Sequence, residues 1–88
     1  MATLLHRIDP ERNEARFYFV QAGSSVIDAH AVLRLWGRIG GHQCALATPC
    51  ASAEEANQLV DRLIRLRLRH GYHIVQIPER SRSVYTDP

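Results

Sequence analysis

The sequence predicts an α+β fold, a small antiparallel β-sheet with one α-helix packed on one face. Three observations support this prediction. The chain has 88 residues, which is the size of one small domain. Its short strand-like segments are separated by short turns, as in antiparallel sheets. One segment in the second half has the periodicity and both end signals of an α-helix.

The same features predict the extent of the domain and its environment. We expect residues 1–78 to form one domain and the polar, aperiodic residues 79–88 to form a flexible tail. The longest apolar stretch is only a few residues, so we expect no contact with a membrane. Cys44 and Cys50 form no CxxC pair, and we expect both to be small buried thiols in a reducing cytoplasm.

The predicted strands are short, and turn chemistry separates most of them. They cover residues 4–8, 16–21, 31–38, 43–48 and 72–77. Residues 9–13, which begin with Asp9-Pro10 and end at Asn13, are predicted to form a turn. Gly40-Gly41 predicts a tight hairpin turn, and a looser loop is expected from Gly23 to about residue 28.

The predicted helix is marked at both of its ends. Ser52 and Glu55 form a capping box, and Gly71 has the position of a C′ glycine. The apolar stripe consists of Ala56, Leu59, Val60, Leu63 and Leu66. The opposite, solvent-facing side consists of Gln58, Arg62, Arg65 and Arg69.

Arg67 interrupts the apolar stripe, because its angle around the helix falls between those of Val60 and Leu63. Two interpretations are open. Either the helix continues past the edge of the sheet at this point, or the guanidinium group forms part of a site near the sheet.

The segment LRLWGRIG, residues 33–40, contains the single tryptophan of the chain. Alternation places Leu33 and Leu35 on one face of the strand, together with Ile39 beyond it, and we expect this to be the core face against the helix. The side chains then expected to point away from that core are Arg34, Trp36 and Arg38.

Two interpretations of Trp36 are also open. An exposed indole between guanidinium groups is suited to stacking on a sugar or base while the arginines hold phosphate. Gly37 would then allow a ligand backbone to approach closely. Alternatively, Trp36 lies over the open sheet face with its neighbours' alkyl stems and contributes only packing.

The charge distribution favours a locally positive surface. The formal net charge is +2, and all 11 basic residues other than histidine are arginines, which suit phosphate recognition better than lysines do. Arginine-rich codon usage would also explain this composition. No Asp or Glu occurs in residues 29–53 or 62–78, so the strand with Trp36 and the end of the helix are locally basic.

The motif WGRIG at residues 36–40 resembles the signature of the WGR domain family. Further matching positions occur in order over residues 4–76: Leu5, Asp9-Pro10, Asn13, Arg16-Phe17-Tyr18, Gln43, Ser52, Glu55-Ala56 and Gly71-Tyr72. The family's turn after WGRIG commonly has a glycine before the glutamine, where this chain has His42. The resemblance implies a small antiparallel sheet with one helix, and a free-standing form similar to the bacterial members.

The resemblance also implies a function. In the DNA-dependent poly(ADP-ribose) polymerases this domain binds DNA at strand breaks, where the signature residues contact the terminal nucleotide and its 5′-phosphate. Carried over, these residues are Trp36 and Arg38, with Arg67 as the basic residue near the helix end and Gly37 as a spacer. Strand alternation adds Arg34. The chain has neither the zinc fingers nor the transferase domain of those enzymes, so ADP-ribosyl transfer does not follow.

We therefore predict a nucleic-acid-binding module that contacts DNA backbone or 5′-phosphorylated ends without catalysis and without a cofactor. The alternative is a protein-interaction or adaptor module that uses the same arginine–tryptophan surface. An enzyme is the least favoured class, since no nucleophile–base pair has a recognised spacing. His70 and His73, even with His42 and Cys44, lack the spacing of metal ligands. We expect a monomer or a weak dimer.

Overall fold

The computed structural model describes residues 2–24 and 28–75, which form a five-stranded antiparallel sheet and one α-helix. The strands are β1 (Ala2–Asp9), β2 (Glu14–Gly23), β3 (Ala31–Arg38), β4 (Gln43–Pro49) and β5 (His73–Val75). A 3₁₀ turn, Pro10–Arg12, joins β1 to β2, and the helix α1 is Ala53–Arg69. The strand order is β4-β3-β2-β1-β5, and α1 packs on one face of the sheet. The predicted fold class is confirmed.

The predicted strands are all present, and β1, β2 and β4 are longer than expected. β1 and β2 extend in register from Ala2 opposite Gln21 to Asp9 opposite Glu14, because the 3₁₀ turn joins them closely. The hairpin turn at Gly40 is confirmed: Gly40 has φ of 77°, and the N–H of Gly41 donates to the carbonyl of Arg38 at 2.9 Å. Residues 25–27, the end of the fifth predicted strand and the predicted tail lie outside the described residues.

The helix begins as its capping box predicts. The backbone N–H of Glu55 donates to the Ser52 hydroxyl at 3.1 Å. The Glu55 carboxylate in turn accepts a hydrogen bond from the N–H of Ala51 at 3.1 Å, one residue before the N-cap. Two backbone donors at this end of the helix therefore have side-chain partners.

The helix ends in a Schellman motif. Gly71 has φ of 90°, a conformation that costs glycine little. Its N–H donates to the carbonyl of Leu68 at 3.2 Å, and the N–H of Tyr72 donates to the carbonyl of Arg67 at 3.0 Å. The chain then enters β5 directly, and the side chain of Tyr72 is buried. The predicted C′ glycine is confirmed.

The core lies between the sheet and α1. Its buried members are Leu5, Tyr18, Val20, Val32, Ala56, Leu63 and Tyr72. The predicted helix stripe is largely confirmed, since Leu59 and Val60 pack against this core. Ile64 also packs there, whereas Leu66 is 37% exposed and the expectation for it was wrong. The helix positions expected to face solvent are exposed: Gln58, Arg62, Arg65 and Arg69.

The expected orientation of β3 was wrong. Trp36 lies opposite Tyr18 in the register of β2 and β3, and directly opposite residues of paired strands share a face of the sheet. Since Tyr18 is buried in the core, Trp36 faces the helix side, and Arg34 and Arg38 do the same by alternation.

Leu33 and Leu35 therefore lie on the other face, which α1 does not cover, and Leu33 is 37% exposed. Ile39 is past the end of the strand and 39% exposed. Both faces of this strand carry hydrophobic residues, so alternation alone could not identify the face that packs against the helix.

Neither cysteine is fully buried. Both are free thiols: Cys44 is exposed on β4, and Cys50 is half-buried, with its Sγ 3.7 Å from the carbonyl oxygen of Thr48. The expectation of two buried thiols was therefore wrong.

The structure gives Gly37 a packing role that the sequence did not predict. The backbone of Gly37 has φ of 154°, and a Cβ there would overlap the carbonyl oxygen of His42 and lie 2.9 Å from the Cα of Gln43. The space beside Gly37 is therefore filled by the backbone that leads into β4. The glycine is required for the closeness of β3 and β4.

We expect Gly37→Ala to lower the free energy of unfolding by about 2 kcal/mol or more, because the added methyl group must displace main-chain atoms. Urea unfolding followed by far-UV circular dichroism measures the change. The matched control is Gly23→Ala, at the end of β2, where an added Cβ has no neighbouring atom within 4 Å. Equal stability of the two variants would contradict this interpretation of the β3–β4 contact.

Candidate functional site

An open pocket of about 240 Å³ lies on the helix side of the sheet, where β2 begins and β3 ends. Its lining residues are Arg16, Trp36, Gly37, Arg38 and Tyr72. The pocket joins three parts of the chain, because β2 contributes Arg16, β3 contributes the WGR tripeptide and the segment between α1 and β5 contributes Tyr72. Two aromatic rings and two guanidinium groups thus share one concave surface.

Trp36 contributes to both the core and the pocket. Its indole is half-buried and packs against the core beside Tyr18, its register partner. The same side chain lines the pocket. Trp36 therefore does not lie over the open sheet face, so the second interpretation of this residue was wrong: the ring packs on the core with one part and borders the pocket with another.

Arg38 is exposed and held by the turn that precedes β2. Its Nη1 donates to the backbone carbonyl of Asn13 at 3.0 Å, and its Nη2 donates to the Asn13 side-chain oxygen at 3.3 Å. Asn13 has φ of 54°, the left-handed conformation that asparagine tolerates better than most residues. A guanidinium group carries five N–H donors, so these two bonds orient Arg38 and leave it donors for a ligand.

Arg16 and Arg38 lie directly opposite each other in the register of β2 and β3. Like charges in this position repel each other. Glu14 offsets part of the repulsion, because its carboxylate lies 3.9 Å from Nε of Arg16 and 3.8 Å from Nε of Arg7. Arg7, Arg16 and Arg38 outnumber the carboxylates of Asp9 and Glu14 on this face, which leaves this end of the sheet positively charged and favours an anion in the pocket.

Arg67 lies over the sheet, next to the pocket. Its guanidinium carbon is 4.3 Å from the centre of the Tyr18 ring and 5.8 Å from the centre of the Tyr72 ring. The first distance is that of a cation–π contact. The helix has therefore not passed the sheet at Arg67, so the first interpretation of this residue was wrong. Its Nε is buried and has no hydrogen-bond partner within the described residues.

Arg34 is on the same face of β3 but is not among the pocket residues. Its Nη2 donates to the Thr48 hydroxyl on β4 at 3.3 Å. The structure thus brings together Trp36, Gly37 and Arg38, places Arg67 beside them and directs Arg34 towards β4.

Sequence reasoning had not selected Arg16 and Tyr72 as site residues. Arg16 has the same strand parity as Tyr18, so a correct assignment of the core face would have placed it beside Arg38. Tyr72 follows the C′ glycine, a position whose side chain often packs back on the last helical turn. The signal for Tyr72 is local. The signal for Arg16 depends on knowing which face of the sheet the helix covers.

Other site types find little support in residues 2–24 and 28–75. No group of three or more His, Cys, Asp or Glu side chains is arranged to hold a metal ion among them. In the same part of the chain, no helix is both long enough and apolar enough to cross a membrane.

The chain resembles one curated protein at the sequence level. It is 32% identical over 68 residues to "Uncharacterized protein y4dW" of Sinorhizobium fredii (strain NBRC 101917 / NGR234). The matched segment covers 77% of this chain but only 33% of the relative, so the chain spans about a third of that protein's length. No solved structure matches the chain.

A family-level comparison covers more of the chain. The WGR domain family matches residues 1–79, which include every element of the sheet, the helix and all the residues of the pocket. The chain therefore belongs to the WGR domain family.

Proposed function

We propose that this domain binds nucleic acid, with the DNA backbone or a 5′-phosphorylated DNA end as its ligand, and that it does so without catalysis. The observation that carries the proposal is the pocket in which Arg16 and Arg38 face each other beside the rings of Trp36 and Tyr72. A phosphate between two guanidinium groups relieves their repulsion, and an aromatic ring beside it offers a surface for the sugar or base. WGR domains are generally nucleic-acid-binding, which supports the same conclusion.

Each residue of the site has a proposed role. Arg38, held by Asn13, presents its remaining donors to a phosphate, and Arg16 contacts the same or the adjacent phosphate. Trp36 contacts the terminal sugar or base. Arg67 contributes positive charge beside the pocket, and Gly37, which lines the pocket, also holds β4 close to the site. We assign Arg34 a more distant electrostatic role, since it is engaged with Thr48.

The composition of the pocket supports binding rather than catalysis. Its lining consists of arginine, tryptophan, glycine and tyrosine. These residues offer hydrogen-bond donors and stacking surface, whereas hydrolysis or group transfer needs a nucleophile with an adjacent base, or a metal ion. The interaction is expected to read the backbone and the end of the duplex rather than its base sequence, since phosphate contacts carry no sequence information.

We expect short duplex DNA to change the fluorescence of Trp36, the single tryptophan, with micromolar affinity. Three to five phosphate contacts predict a log–log slope of affinity against salt of about −3 to −4. A duplex with a 5′-phosphate should bind more tightly than the same duplex with a 5′-hydroxyl. Arg38→Ala should weaken binding by about tenfold, since one charge-assisted contact contributes roughly 1.5 kcal/mol.

The matched control for Arg38→Ala is Arg62→Ala, which removes the same charge from the solvent face of α1. It should bind DNA nearly as well as the unaltered domain. An unchanged Trp36 signal at tens of micromolar DNA would contradict the proposal, and it would favour the protein-interaction module as the function of the same surface.

A second prediction concerns Arg67. Arg67→Leu keeps an apolar side chain over Tyr18 but removes the charge, so the free energy of unfolding should change by less than about 1 kcal/mol. DNA affinity should fall several-fold, and the salt slope should become less steep by about 1 unit.

Arg69→Leu is the control for this variant, because Arg69 is exposed two residues further along the same helix. If the two variants lose the same affinity and the same part of the salt slope, Arg67 acts only through the general charge of the helix end. That result would remove Arg67 from the site.

A further inference from the structure

The face of the sheet opposite α1 is mostly apolar, and its polar members on β1–β4 are His6, Gln21 and Gln43. One row of this open face runs straight across four strands, from Leu4 through Phe19 and Leu35 to Ala45. Phe17 lies in the next row on one side, and Leu33 lies in the next row on the other. Of the described residues of β1–β4 that share this orientation, none is Asp, Glu or Arg, although 23% of the chain is charged.

The helix side of the same strands is different. It carries Arg7, Glu14 and Arg16 at one end of the sheet and Arg34 and Arg38 along β3. Surfaces that face water in small domains normally mix charged residues with apolar ones. The complete segregation of charge to one face indicates that the other face is covered in the functional state.

The described part of the chain does not provide this cover. The helix packs on the opposite face, and the aromatic residues Phe17 and Phe19 are not among the residues that contact the core. Leu33 is 37% exposed, and Ile8, which is on the same face, is 54% exposed.

We propose that the open face is covered by the open face of a second copy of this chain, which gives a symmetric, face-to-face dimer. An identical face brings no Asp, Glu or Arg into the interface, so none of these charges is buried without a partner. Most of the remaining described surface, by contrast, is rich in arginine and carboxylate groups. If a second copy docked on the open face through that surface, these charged groups would lose their contact with water. The interface is isologous, as in most homodimers.

The size of the face is sufficient for such a contact. Four strands spaced about 4.8 Å apart, with about eight residues of about 3.3 Å each, give roughly 500 Å² per copy. Two copies then bury roughly 1,000 Å², the lower limit of a specific interface. Two sheets packed in this way lie about 10 Å apart, as in β-sandwiches. A weak dimer with micromolar dissociation is therefore expected.

The arrangement leaves the pocket free. The pocket residues Arg16, Trp36 and Arg38 are on the helix side of the sheet, so the dimer carries two sites that face away from each other. The proposal does not depend on the proposed function, because it rests on the charge pattern of the other face.

Sedimentation equilibrium of the full chain over the micromolar range tests the proposal. The unaltered chain should change from monomer to dimer as its concentration rises. Leu33→Glu places a charge within the interface, and it should raise the dissociation constant at least tenfold. The control is Leu46→Glu on β4, which is 46% exposed but has the parity of the helix side, and it should dimerise like the unaltered chain.

Ala45→Glu is a second test variant in case Leu33→Glu does not fold. Ala45 is exposed and adjacent to Leu46 in the same strand, but it lies on the open face. Far-UV circular dichroism confirms that each variant is folded. An unaltered chain that stays monomeric at the highest concentration, or a dimer that persists in folded open-face variants, would overturn the proposal.

Discussion

The structure depends on the register between β2 and β3. This register places Tyr18 opposite Trp36 and Arg16 opposite Arg38, so one pair is in the core and the next is at the rim of the pocket. A slip of one residue would move Trp36 to the open face and remove the β3 neighbour of Tyr18 from the core. The 3₁₀ turn before β2 and the Asn13–Arg38 contact both act at the end where the pocket forms, so they help to hold the register.

Much of the fold follows from local signals in the sequence. Ser52, Glu55 and Gly71 identified the helix ends, and Gly40 identified the β3–β4 turn, because each of these requires a residue type with particular hydrogen-bonding or conformational properties. The face of β3 could not be predicted in the same way. Val32 and Trp36 are as hydrophobic as Leu33 and Leu35, and only pairing with Tyr18 and Val20 decides which set meets the helix.

Some residues of the candidate site could also be predicted from local sequence, whereas others depend on tertiary contacts. Trp36, Arg38 and Arg67 could be selected from a motif and from an arginine that interrupts an apolar stripe. Arg16 became part of the site only through strand pairing, and Gly37 acquired its role only through the nearby backbone of His42. The position of Arg67 in the apolar stripe could be read from the sequence, whereas its contact with Tyr18 could not. This contact lets a cation occupy a position where packing requires an apolar surface.

The pocket draws Arg16, Trp36 and Tyr72 from positions that are far apart in the sequence, so it exists only when the domain is folded. Any ligand of this pocket binds the native state and not the unfolded chain. At a hundred times its dissociation constant, such a ligand adds about 2.7 kcal/mol to the free energy of unfolding. Small domains have total stabilities of only about 5–15 kcal/mol. A ligand that occupied the pocket would therefore also lengthen the lifetime of this protein against proteolysis.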